Sequence, residues 1–348
     1  MLSGKHLPNA SKAVFGAQTS LEIRHALKDM LATALTQKYG EKLDERICRR
    51  VAEEWQAMER TDTVLDAAAL YELVIWLKEN EQPYWLPGAA GSSFILWLLG
   101  ITSGNPLPPH YHCSSCHTVY WQCDQLDGFD LPTDQICEKD GAQLAADGHD
   151  IPWQVLFGYG THRPVFNIYL PHALYEAFKS ASAAHWRVQI GAANVACDDE
   201  RQAINLAALH MDFCLDDETA AKTPEELLQG HGITGISSFA DLIAAQGLIR
   251  STGTWDEDIA FMNQRLGYAP SELIAFRDDI FRYLLDHGLS EEEAWQGMDQ
   301  VRKGRAFPAI TSEMQHARDK WVLTCSQKIK CLFPKAHCVE QTLFQIQK

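Results

Sequence analysis

Three blocks within residues 101–171 decide how this chain reads: ITSGNPLPPHYHCSSC (101–116), DLPTDQICEKDG (130–141) and DGHDIPWQVLFGYGTHRPVFNIYLP (147–171). The first is a proline-broken loop ending in a Cys-x-x-Cys pair, Cys113 and Cys116. The second is half of another such pair, Cys137-Glu138-Lys139-Asp140, and the third closes on an apolar, strand-like run. A two-residue gap lets both sulfurs of Cys113 and Cys116 reach one tetrahedral ion, and zinc accepts thiolate, imidazole or carboxylate. Cys113 and Cys116 are therefore candidate metal ligands, with His112, His117 and Cys123 as further candidate donors. A knuckle that has lost its metal and is held by its own loops is the plainer alternative.

Upstream, apolar residues recur at helical spacing. Leu27, Met30, Leu31, Ala34 and Leu35 predict a first helix, capped by Ser20 and ended by Gly40. Leu43, Ile47, Val51 and Trp55 predict a second, and a third runs from about Val64 to Lys78, ahead of Pro83. Then comes a Gly/Ser turn, Leu86-Pro87-Gly88-Ala89-Ala90-Gly91-Ser92-Ser93, feeding an apolar helix. Such a turn places free N–H groups at a helix start, where an anion is favoured.

In order, these motifs resemble the α subunit of PolC-type bacterial DNA polymerase III, and the resemblance covers most of the chain. In that family the loop reads Ser-Arg-Gly-Ser-x-Gly-Ser-Ser and cradles the incoming triphosphate. Here Gly88, Gly91, Ser92 and Ser93 persist as phosphate-binding candidates, while the arginine has become Pro87. The family has a second Cys-x-x-Cys after a short insert, which implies Cys137 and Asp140 as the partners of Cys113 and Cys116 in a zinc site. The family's segment after the knuckle ends in Pro-Asp-Ile-Asp-Leu, whose aspartates hold the catalytic Mg2+ ions. This chain has Pro164-Val165-Phe166-Asn167-Ile168, so Val165 and Asn167 occupy the aspartate positions. Asp212 is the candidate for the third carboxylate; the plainer alternative makes it an exposed loop residue near Asp216 and Asp217. From about Ile233 to His337 the order of motifs is similar to the family's fingers. There Arg302, Lys303, Arg305, Lys328 and Lys330, with Lys335, are candidates for phosphate contact.

Charge and composition set bounds. The net charge is −16, against a simple DNA clamp, since phosphate binding wants basic surface. Residues 301–348 nonetheless hold nine Lys and Arg against three Asp and Glu. No apolar run approaches the roughly 20 residues of a membrane span. Ten cysteines at irregular spacing, behind a Met1–Gly16 opening without an apolar run, suggest reduced thiols and a cytoplasmic protein.

The expected fold is α+β: a reduced polymerase palm with a candidate zinc knuckle, followed by a helical fingers-like domain. The expected boundaries are 1–82 (helical), 83–215 (palm-like, with the knuckle insert at 110–141) and 223–348 (fingers-like). The resemblance implies deoxynucleotidyl transfer in DNA replication, with DNA, deoxynucleoside triphosphates and replisome proteins as partners, structural Zn2+ and catalytic Mg2+. The substituted aspartates imply that activity is absent or nearly so. The alternative is a non-catalytic pseudo-polymerase that binds nucleotide, DNA or replisome.

Overall fold

Thr19, rather than Ser20, caps the first helix: its hydroxyl accepts from the Glu22 N–H while Glu22 reaches back to the cap. The computed structural model describes residues 19–174, 187–189, 194–196, 211–214, 216–305 and 327–347. The Met1–Gly16 opening lies outside the described residues. Helix α1 (Ser20–Tyr39) buries Ile23, Leu27, Leu31 and Leu35, one residue per turn, and ends at Gly40 with φ +77°. Helix α2 (Glu45–Arg60), capped by Asp44, buries Ile47, Glu54, Trp55 and Met58. Helix α3 (Val64–Glu79) is apolar on most of its surface and is correspondingly buried.

The core that these helices form does not end with them. Leu86, Ile95, Leu96, Ile101, Trp153, Phe157, Phe166 and Ile168 continue it. Ile95 and Leu96 come from the short helix α4 (Phe94–Leu98), and Phe166 and Ile168 from a strand. The knuckle insert forms a three-stranded antiparallel sheet of β1 (His110–His112), β2 (Val119–Trp121) and β3 (Ala145–Asp147), with β1 central. A one-turn helix, α5 (Gln154–Phe157), leads on to β4 (Phe166–Tyr169). Strands β5 (Arg187–Gln189) and β6 (Asn194–Ala196) pair with each other. Strand β7 (Met211–Cys214) lies parallel to β4, with Asp212 directly opposite Asn167. Asp212 is thus a strand residue and not a loop residue; its side chain is outside what is described.

Two short helices, α6 (Asp217–Ala221) and α7 (Pro224–Leu228), lead to a second, all-helical core. It is built by α8 (Phe239–Arg250), α9 (Glu257–Leu266), α10 (Arg277–Asp286), α11 (Glu291–Val301) and α12 (Lys335–Ile346). Ile243, Leu248, Ile280, Phe281, Leu284, Met298 and Val339 fill it, and Ile151 enters from the loop after the knuckle and Val155 from α5. Ser238 caps α8, as its place before the apolar run suggests. Among the described residues no helix is long and apolar enough to cross a membrane.

Candidate metal centre and the strand beside the Gly/Ser turn

The knuckle brings four donors to one point. One ligand atom each from Cys113, Cys116, Cys137 and Asp140 lies within 4.8 Å of all the others. Cys116 Sγ is 3.5 Å from Cys137 Sγ, and Cys113 Sγ is 3.4 Å from an Asp140 oxygen. Tetrahedral zinc with bonds of about 2.3 Å to sulfur and about 2.1 Å to oxygen puts its ligands roughly 3.5–3.8 Å apart, so the donor set fits. The Ala142 N–H, then the neighbouring thiols, hold the Asp140 carboxyl down at about 2, which keeps it ionised. Hydrogen bonds from Thr118 lower the Cys116 thiol. Two of the alternative donors point elsewhere: His117 Nδ1 faces the Lys38 carbonyl at 3.0 Å, and Cys123 Sγ accepts from Arg46 at 3.0 Å.

The Gly/Ser turn has a different fate. Glu54, fully buried on α2, occupies the start of α4, accepting from Phe94 N (2.9 Å), Ile95 N (3.1 Å) and the Ser93 hydroxyl (2.8 Å). Arg50 binds Glu54 at 2.5 Å and also donates to the carbonyls of Ser92 and Ile151. The anion that a helix start favours is therefore the protein's own. Ser92 and Ser93 are wholly buried, and a side chain at Gly91 would meet Glu340 at 2.9 Å. Gly88, with φ +84°, is the more open end of the turn. Its N–H donates to His337 Nδ1 at 2.9 Å. Burial pushes the His337 imidazole down to about 3, so it is neutral, its ring edge-on to Trp85 and Phe333.

Asn167 completes this edge. Strand alternation sends Phe166 and Ile168 into the core and leaves Val165, 45% exposed, and Asn167 on the other face. The Asn167 amide nitrogen lies 3.0 Å from where a Cβ on Gly88 would be. Strand and turn therefore still meet at the positions the sequence singles out, without the carboxylates. Valine offers no donor atom and asparagine one neutral oxygen, so this face does not fit two Mg2+ ions, which need bridging carboxylates.

Most of the basic candidates have acidic partners. Arg302 and Lys303 both bind Asp299, each at 2.6 Å, and Lys328 binds Asp256 and Asp258. Lys335 donates to the carbonyls of His149 and Leu126. Arg305 and Lys330 are exposed, and among the described residues neither has an ion-pair partner; Gly304 packs on the Lys330 backbone, so the two occupy adjoining turns.

Sequence reasoning missed Glu54, His337 and Glu340. Glu340, buried on α12, accepts from the N–H groups of Ser103 (3.0 Å) and Gly104 (2.8 Å), and burial pushes its carboxyl up to about 7. Glu54 gave one signal: it sits on the buried face of α2, one residue before Trp55.

No protein-family model matches the chain. It is similar to DNA polymerase III PolC-type of Thermotoga petrophila, 25% identical over 89% of this chain and 33% of the relative. The Lacticaseibacillus paracasei protein of the same name is 22% identical over 93% of this chain and 32% of its own length. A shorter stretch, 24% of this chain and 6% of the relative, is 42% identical to the Streptococcus suis protein of that name. The first two matches extend over 456 and 463 positions although the chain has 348 residues, so those relatives carry sequence inside the matched region that this chain lacks. These matches span about a third of the length of the curated relatives, and over most of its own length the chain is similar to the DNA polymerase III PolC-type proteins.

Proposed function

We propose that this chain is a polymerase-related protein that works by binding, to deoxynucleoside triphosphate, DNA or replisome proteins, and does not carry out nucleotidyl transfer. The organisation we assign is a helical region (1–82), a reduced palm-like part (83–215) and a fingers-like part (223–348). The observation that carries this is the pairing of β4 with β7. Asp212 stands opposite Asn167, with Val165 exposed beside it, so one carboxylate position remains where in-line phosphoryl transfer with two metals needs several. The Arg50-bound Glu54 supports the same reading, because it supplies the negative charge at the start of α4.

In this proposal Zn2+ is held by Cys113, Cys116, Cys137 and Asp140 as a structural ion. Bound there, it would tie the hairpin turn after β1 to the 137–140 turn. Phosphate contact falls to Arg305 and Lys330, since the Gly88 N–H is already given to His337. The test is primer extension measured beside equilibrium binding of a labelled primer-template and of deoxynucleoside triphosphate. Binding without extension supports the proposal; extension at a steady rate overturns it.

A further inference from the structure

The insert that carries the cysteines also grips the second core. Asp130 accepts from the N–H groups of Phe239 (2.5 Å) and Ala240 (3.0 Å), the open N-terminal end of α8. Asp127, fully buried, pairs with buried His149 at 2.9 Å. Lys335, the first residue of α12, donates to the carbonyls of Leu126 (3.3 Å) and His149 (2.5 Å) and lies 4.0 Å from the Asp127 carboxylate. The rings of Phe129, His149 and Phe239 pack at 4.7–5.5 Å.

These contacts connect to the four donors over a short path. Leu131, next to Asp130, is buried in the same small cluster as Cys113 and Cys137, with Tyr111 and Leu144. The Tyr111 hydroxyl donates to the Pro132 carbonyl at 2.8 Å. Gly128 lies so close to the Asp147 carbonyl, 2.1 Å from a would-be Cβ, that segment 127–131 is pinned to β3. A displacement of the 137–140 turn therefore moves Leu131, and with it the Asp130 carboxylate on the end of α8.

We propose that the four-donor centre is a clamp: its occupancy by a metal ion fixes segment 126–149, and through Asp130 and Lys335 fixes the seating of α8 and α12. Without an ion, the hairpin turn and the 137–140 turn are held only by weak thiol contacts, Cys113 to Asp140 and Cys116 to Cys137. The proposal rests on the metal reading of the four donors and is independent of whether catalysis is lost.

Amide hydrogen exchange on the full chain tests it, with one equivalent of ZnCl2 and after chelation with EDTA, zinc content being measured in each sample. Peptides covering 239–250 and 335–346 are expected to exchange about tenfold faster after chelation, the scale of one lost helix cap, while 20–39 is unchanged. Asp130→Asn is expected to speed exchange in the first turn of α8 with zinc content unaltered, which separates the clamp from metal binding itself. Unchanged exchange in 239–250 on zinc loss overturns the proposal. So does an equal rise in 20–39, which would make the ion a requirement of the whole fold. A zinc content of zero in the ZnCl2 sample overturns the metal reading and the clamp together.

Discussion

The four-donor knuckle and the edge where β4 meets the Gly/Ser turn differ in what each has kept. In the knuckle four donors converge, three thiols and the carboxylate of Asp140. At the edge Asn167 lies beside Gly88 and opposite Asp212, but Val165 and Asn167 bring no carboxylate to it. The physical reason lies in what each holds up. The knuckle's cysteines pack in or against a small buried cluster with Leu131, whose neighbour Asp130 accepts from the first turn of α8. Positions 165 and 167 face away from the core, where valine and asparagine cost the fold little.

The comparison breaks most visibly at Glu54. If the turn is now a structural joint, Glu54→Ala leaves Arg50 without its partner and three donors uncapped. The expected loss is about 3–5 kcal/mol in urea unfolding, the range for breaking a buried pair. A loss below about 1 kcal/mol would mean that solvent or a ligand can take the carboxylate's place.

A pH effect at Glu340 follows next. Burial raises its folded carboxyl from 4.5 to about 7, so between those values the folded chain keeps a proton that the unfolded chain has released. Stability therefore falls as pH rises through that window, by at most about 3 kcal/mol, and is flat above it. Glu340→Gln should remove this slope while keeping an oxygen for the Ser103 and Gly104 amides. Equal slopes in the two proteins, from urea unfolding across the window, would show that Glu340 is ionised throughout.

On the knuckle side, Asp140→Cys should slow zinc loss to a chelator by about tenfold or more, since even outer partners of metal ligands shift affinity by 10–100-fold. Faster loss would show that Asp140 is not a ligand. The smallest effect concerns salt. Of the basic candidates only Arg305 and Lys330 lack an acidic partner among the described residues, so DNA affinity should fall with a logarithmic slope of about −1.4 to −1.8. Reversing the charge of both should abolish that slope, while Lys38→Glu should leave it.

Much of this was legible in advance because it rests on local pattern. The three N-terminal helices follow four-residue apolar steps, and the cysteine spacing is itself geometry. The pairing of Asp212 with Asn167 was not legible, because 44 residues separate the two positions although their strands lie side by side. Nor was the neutralised state of Arg302, Lys303 and Lys328, since a basic count says nothing of which carboxylate faces each charge. Nothing in the sequence says that backbone amides receive Glu54 and Glu340; only the fold shows it.

Primer extension by the purified chain, with all four deoxynucleoside triphosphates and either Mg2+ or Mn2+, tests the central claim most directly. The expected result is no extension. Val165→Asp combined with Asn167→Asp is expected to restore two carboxylates without restoring full activity, because Pro87 still stands in place of the loop's cation. Extension by the unaltered chain that is abolished by Asp212→Ala would contradict the account, since it would reveal a working metal site on the β4–β7 pair.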